Sequence, residues 1–219
     1  MPAANCVPVP EGLPFPQVSI ITRHFPLAFA EASIGRLGRD DWALVLGAAG
    51  GLGSCIVQVA NSIGARVIAG AGADERVQAG LDLGAHHGVN YRRDDLETEV
   101  ARITDGHGVD VVFDNIGDPP IFSKAINSMA RGGRLVTVGA HGGGMVTLDV
   151  RTLYQNRLQV LSGLGAEKVD DLTRALQLAA EGRLQILIDK VMPLSEAAEA
   201  HRLVAKNDSV GKVVLDPTL

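Results

Sequence analysis

The segment from Leu44 to Gly72, LVLGAAGGLGSCIVQVANSIGARVIAGAG, narrows the possible folds more than any other part of the chain. The apolar run WALVL ends at Leu46. It is too short for a helix and has no polar alternation, so it reads as a strand buried on both faces. Four glycines then fall within the seven residues Gly47 to Gly53. After them Leu52, Cys55, Ile56, Val59, Ala60 and Ile63 recur at the spacing of one helix face. Gly64 stands where a C-terminal cap glycine would end that helix. ARVIAG is a second short apolar strand. Strand, glycine turn, amphipathic helix and strand within roughly 30 residues make a βαβ unit, whose strands run parallel with a right-handed crossover.

The same rhythm continues. DERVQAGLDLG reads as a helix opened by acids and closed by Gly84, GVNY as a short strand, and DLETEVARIT as a helix capped by Asp94 or Asp95. VDVVFDNIG is a strong strand. PPIFSKAINSMARGG reads as a helix with proline at its start and Gly132 past its end, and RLVTVG as the next strand. Beyond Gly144 the pattern loosens. RTLYQN is a short helix, LQVLSG a strand, KVDDLTRALQLAAEG an amphipathic helix, and LIDKVMP, SEAAEAHRLVAK and GKVVLD are strand, helix and strand. Strands alternating with helices predict an α/β fold with a doubly wound parallel sheet of the Rossmann type. Five of the ten prolines fall in the first 20 or so residues, which are expected to be extended and surface-following. Helix is expected in Thr22 to Leu37 once Pro26 is passed. No fixed-period repeat is visible.

Composition removes several function classes. Hydrophobic residues make up 46% of the 219, enough for a full core. The net charge of -5, with basic residues scattered among acids, argues against nucleic acid as a partner. The two cysteines, Cys6 and Cys55, form no disulfide framework and lack metal-ligand spacing. The first residues have neither the basic nor the apolar region of a signal peptide, and no run approaches a membrane span. A cytoplasmic chain with no membrane partner is expected.

The loop Gly47-Ala48-Ala49-Gly50-Gly51-Leu52-Gly53 follows the first strand and opens the first helix. In that context a glycine motif reads as a dinucleotide-binding turn. The unpaired amides and partial positive charge of a helix N-terminus suit a pyrophosphate. Gly50 and Gly51 admit close approach of the backbone to the phosphates, and Gly53 admits close packing of helix on strand. The usual first glycine is replaced by Ala48, and a tight turn without ligand is the alternative. The second strand ends in Ala69, Gly70, Ala71, Gly72 and Ala73 with no carboxylate for a ribose 2′-hydroxyl. Asp74 and Glu75 read as cap residues of the next helix, and Arg76 follows within reach of a 2′-phosphate. NADP(H) is therefore favoured over NAD(H), against the alternative that Arg76 is a solvated helix residue.

LVLGAAGGLGSCIVQVANSIGARVIA, LDLGAHHGVNYRRDDL, GVDVVFDNIG, GGRLVTVGAHGGG and PLSEAAEAHRLVAKNDSVGKVVL occur in the order seen in medium-chain dehydrogenase/reductases. The chain most resembles the quinone oxidoreductase-like branch, which works without zinc. The resemblance runs from NCVPVPEGL onward. It implies that Ala49, Gly50, Gly51, Leu52 and Gly53 form the pyrophosphate loop. Gly72, Arg76 and Tyr91 would lie at the adenosine, with Tyr91 alternatively a half-buried packing residue. Asn115, Val138, Gly139 and Ala140 would face the nicotinamide. It also implies that a catalytic domain precedes this region in the family. Residues 1–22 are then expected as a linker or remnant of it, 23–165 as the dinucleotide-binding domain, and 166–219 as a C-terminal remnant whose strands, which in the family return to that domain, have lost their usual neighbours. The implied reaction is hydride transfer to a small quinone, enone or other carbonyl substrate. The alternative is a dimerising, dinucleotide-binding module without turnover of its own. A homodimer through the sheet-edge strand LQVLSG is expected.

No catalytic side chain stands out. Adjacent His86 and His87 point to opposite faces and make a poor chelate. His141, in GAHGGGM, lines the substrate side or is simply solvated. Cys55 sits on the apolar helix face, where packing outweighs a nucleophile's role.

Overall fold

The computed structural model describes residues 6–207 and 209–219. Six parallel strands form one sheet: β1 (Trp42–Leu46), β2 (Arg66–Ala71), β3 (His87–Asn90), β4 (Val109–Asp114), β5 (Met129–Thr137) and β6 (Gln159–Ser162). Their order is β3-β2-β1-β4-β5-β6, so the winding reverses between β1 and β4. Leu46 pairs with both Gly70 and Asp114, and Asp114 pairs with Thr137. The carboxyl ends of the central strands thus form one level rim. In such sheets a crevice opens at that rim, where the order reverses.

Both sheet faces are covered, which is why the strands read as continuous apolar runs. Ala43 and Val45 of β1 face a core shared with α1 (Phe15–Ile34), α2 (Gly53–Ile63) and α7 (Val169–Ala180), built on Ile21, Phe25, Ile56, Phe113 and Leu176. Trp42, Leu44 and Leu46 face the opposite core, with Leu96 of α4 (Leu96–Ile103) and Phe122 of α5 (Pro119–Asn127). Helix α3 (Asp74–Asp82) packs on β2 and β3. Gly80 permits this, since a Cβ there would lie 2.6 Å from that of Ala69. Helix α6 (Val150–Gln155) precedes β6.

Three sequence expectations are corrected. The first 20 or so residues are not extended throughout, because α1 begins at Phe15 and runs through Pro26 to Ile34. Pro16 lies in the first turn, where its missing N–H is harmless. An interior proline costs a helix about 3 kcal/mol. Here Pro26 is buried beside Phe25, Ala28 and Phe29, and packing of this apolar face on the sheet offsets the break. Second, α5 stops at Asn127 and β5 begins at Met129 rather than Arg134. Gly132, with φ +81°, sits inside the strand where its pairing with β4 is irregular. Third, β7 (Ile188–Pro193) and β8 (Lys212–Asp216) do not lack partners. They pair in parallel with each other, with α8 (Ala197–Ala205) between them. The chain at Gly211 also bridges to Gly50, and the Gly211 amide donates to the Ala49 carbonyl at 2.8 Å.

Candidate functional site

The glycine turn is shaped by its own backbone. Gly47, at φ +71°, reverses the chain after β1, and its carbonyl accepts from the Gly50 amide at 2.8 Å. A Cβ on Gly53 would collide with that same carbonyl. Only glycine lets α2 start against the strand end. The amides of Leu52 and Gly53 donate to no backbone carbonyl among the described residues. They are orphan donors at a helix start, in residues that line the crevice.

The crevice is a cavity of about 470 Å³ at the reversal point. Ala49, Gly50, Gly51, Leu52, Gly53, Arg76, Tyr91, Asn115, Val138 and Gly139 all line it. The structure therefore brings together ten of the twelve residues singled out from sequence. Gly72 lies just outside the lining, where a Cβ would come within 3.0 Å of the Arg92 Nε and 3.1 Å of the Tyr91 ring. Ala140 lies one residue beyond Gly139, packed near Gly117.

One end of the cavity is cationic. Arg76, in the first turn of α3, has a buried Nε with no hydrogen-bond partner among the described residues. Arg92 lines the same end. The acid nearest the end of β2, Asp74, is occupied elsewhere: it accepts from Asn90 at 2.8 Å and pairs with Arg93 at 2.9 Å. Tyr91 is partly buried, and that burial raises its hydroxyl above the usual phenol range. At the other end, Asp114 is 1% exposed and accepts from the amides of Ile116 and Gly117, both at 3.0 Å. These bonds hold the turn that carries Asn115. The Asn115 side chain donates to the Leu46 carbonyl at 3.2 Å, while its Oδ1 is buried and unpartnered among the described residues. Gly139 lies so close that a Cβ would strike the Asn115 backbone.

Two lining groups were not legible in the sequence. His24 and Arg23, from α1, reach the cavity. So does Lys212, the first residue of β8, whose alkyl chain crosses Gly51. A Cβ on Gly51 would lie 2.5 Å from the Lys212 Cδ and 3.0 Å from the His24 Nε2. The only local signals were a basic pair in an otherwise apolar stretch and a Gly-Lys step opening the last strand. Burial first, then Lys212 and Arg23, lower the His24 imidazole to about 4. His141 also lines the cavity, together with Asp118. Cys55 is buried with its thiol on the Gly51 carbonyl at 3.2 Å, and burial pushes it up to about 12, so it is a packing residue. His86 accepts from the Val67 amide at 3.1 Å, while His87 lies against the Trp42 ring. The pair does not converge. Among the described residues no three His, Cys, Asp or Glu side chains gather in metal-binding geometry.

The cavity suits an extended anion. It is lined by a glycine turn and by cationic side chains, with unpartnered backbone amides at the turn and unpartnered polar side-chain atoms at both ends among the described residues. Comparison with known proteins gives this shape a lineage. Residues 51–181 match the family model described as zinc-binding dehydrogenase. Quinone oxidoreductase-like protein 2 of Bos taurus is 37% identical over 182 residues, covering 78% of this chain and 52% of that protein. A solved NAD-dependent alcohol dehydrogenase superposes with a TM-score of 0.87 at 32% identity, over 99% of this chain and 63% of the other. The Escherichia coli quinone oxidoreductase, solved with NADPH, superposes with a TM-score of 0.81 at 26% identity, over 96% of this chain and 68% of the other. The chain spans about half the length of the curated relatives it matches first. It belongs to the zinc-binding dehydrogenase family, within the medium-chain dehydrogenase/reductases.

Proposed function

We propose that the chain is the cofactor-holding part of an NADP(H)-dependent oxidoreductase acting on a small carbonyl or quinone. The observation that carries this reading is the glycine turn at the head of α2, which lines the crevice and whose Leu52 and Gly53 amides donate to no backbone carbonyl among the described residues. A diphosphate supplies both the acceptors and the charge that these groups lack. Ala49 to Gly53 would hold it, with Lys212 closing over the loop. Arg76, beside Tyr91 and Gly72, would take the 2′-phosphate. Its orphaned Nε, and the engagement of Asp74 with Arg93, support NADP(H) over NAD(H). An NAD-dependent alcohol dehydrogenase and a quinone oxidoreductase solved with NADPH are both among the similar proteins, so the choice rests on these residues.

Asn115, Val138, Gly139 and Ala140 would meet the nicotinamide, a reading supported by the Asn115 Oδ1, which has no partner among the described residues. A bound nicotinamide supplies hydride transfer. The protein's part is to bind, orient and exclude water. The resemblance to the quinone oxidoreductase-like branch supports a zinc-free reaction. The β6 edge, with Val160 40% exposed, supports a symmetric homodimer through that strand. Two free thiols fit a cytoplasmic setting.

A second reading has its own support. The chain is also read as a dinucleotide-binding, dimerising module without turnover, which the glycine-turn crevice and the exposed β6 edge would serve equally well. One experiment separates the two. The chain is mixed with NADPH and then with phenanthrenequinone, following the nicotinamide absorbance. Binding with oxidation supports the enzyme, binding alone the module, and no binding overturns both.

A further inference from the structure

We propose that His24 is a proton-linked contact for the dinucleotide diphosphate, taking up a proton from solvent as that anion seats on the glycine loop. This rests on the cofactor reading above and deepens it. His24 lies on α1, far in sequence from the loop, yet its Nε2 would be 3.0 Å from a Cβ on Gly51. It therefore lies against the same stretch of backbone that the diphosphate would approach. It also lines the cavity, and so do Lys212 and Arg23.

The electrostatics run in opposite directions in the two states. Without an anion, burial and two neighbouring cations, Lys212 from β8 and Arg23 from its own helix, keep the imidazole neutral near pH 7. Among the described residues, the other charged groups lining the cavity are Arg76, Arg92 and Asp118, with His141 a further titratable one. Of these only Asp118 carries a carboxylate, and it is not among the groups that shift His24. A diphosphate brings two negative charges within a few ångströms. Opposite charge at that range favours the imidazolium. A protonated His24 donates from Nε2 to a phosphate oxygen, and up to one proton is consumed per dinucleotide bound, the fraction falling as pH passes the raised pKa. Affinity for any diphosphate-bearing ligand must then strengthen as pH falls, and the same coupling raises the pKa of His24 when ligand binds.

Calorimetry in buffers of different ionisation heat reads the proton directly. NADH and ADP-ribose are the probes, because the 2′-phosphate of NADPH titrates in the same range. The expected result is net proton uptake on binding. The dissociation constant should weaken roughly tenfold between about pH 6 and pH 8. In His24→Gln both effects vanish while binding persists. NMR titration of the His24 ring in the wild-type chain, with and without ADP-ribose, covers the case of a variant that folds poorly. The pKa should rise on binding. Binding without proton uptake, with an unshifted His24, overturns this inference and leaves the cofactor reading intact. Failure of both probes and of NADPH to bind overturns both.

Discussion

Glu31 makes the pH dependence of stability calculable from the structure. It sits on α1 with no exposed surface, and neither carboxylate oxygen has a partner among the described residues. Its Cγ would be 2.7 Å from a Cβ on Gly163, a position that also faces Val136 and Val138. Burial, then the charges of Asp114 and Glu167, push the carboxyl from 4.5 up to about 8. The folded chain thus keeps a proton that the unfolded chain gives up above pH 4.5. The group's contribution to stability is full below that pH and is lost as pH climbs through 8. Each pKa unit is worth 1.36 kcal/mol, so the loss is about 4 to 5 kcal/mol across the window. That is a large part of a domain's usual margin of about 5–15 kcal/mol. Glu31→Leu removes both the charge and the unsatisfied oxygens, and Glu31→Gln removes the charge alone. Urea unfolding at about pH 5, 7 and 9 should show wild type weakening relative to both variants as pH rises. The leucine variant should be ahead by several kcal/mol at pH 9, or roughly 10 °C in Tm. Parallel profiles for wild type and Glu31→Leu would refute the reasoning, since the carboxyl would then find a charged partner or water in the folded state.

Other perturbations follow from the same geometry. Gly53→Ala drives a methyl into the Gly47 carbonyl and should lower stability by about 3 kcal/mol or more in urea unfolding. Arg76→Ala should cut the preference for NADPH over NADH by about tenfold in paired binding titrations, with NADH itself little changed. Val160→Lys, on the exposed β6 edge, should shift a dimer to monomer in sedimentation velocity without changing the far-UV spectrum.

The sheet was legible because its strands are buried on both faces and announce themselves as short apolar runs between glycines. WALVL, VVF and VIA needed no tertiary information. The glycine loop was legible for the same reason, since its function as a turn is encoded within seven residues. What failed to show was whatever depends on distant packing. Proline rules are local, and they placed the start of α1 too late because the payoff for continuing through Pro26 lies in a core formed with β4 and α7. Gly132 signals a break, but whether it ends a helix or kinks a strand is decided by pairing with β4. Residues 24, 51 and 212 meet only in the folded chain, so the cationic roof of the loop had no signature in sequence. Glu31 lay hidden in the stretch AFAEAS, where a single acid looks like a solvated helix residue until the fold buries it.

The proposed role of the turn from Ala49 to Gly53 is to hold a dinucleotide's diphosphate. Isothermal titration of the chain with NADPH tests it most directly, with adenosine as the ligand that lacks the diphosphate. The account predicts saturable binding of NADPH, one molecule per chain, and at least roughly tenfold weaker binding of adenosine. No heat with NADPH or NADH up to about 1 mM, or equal affinity for adenosine, would contradict it.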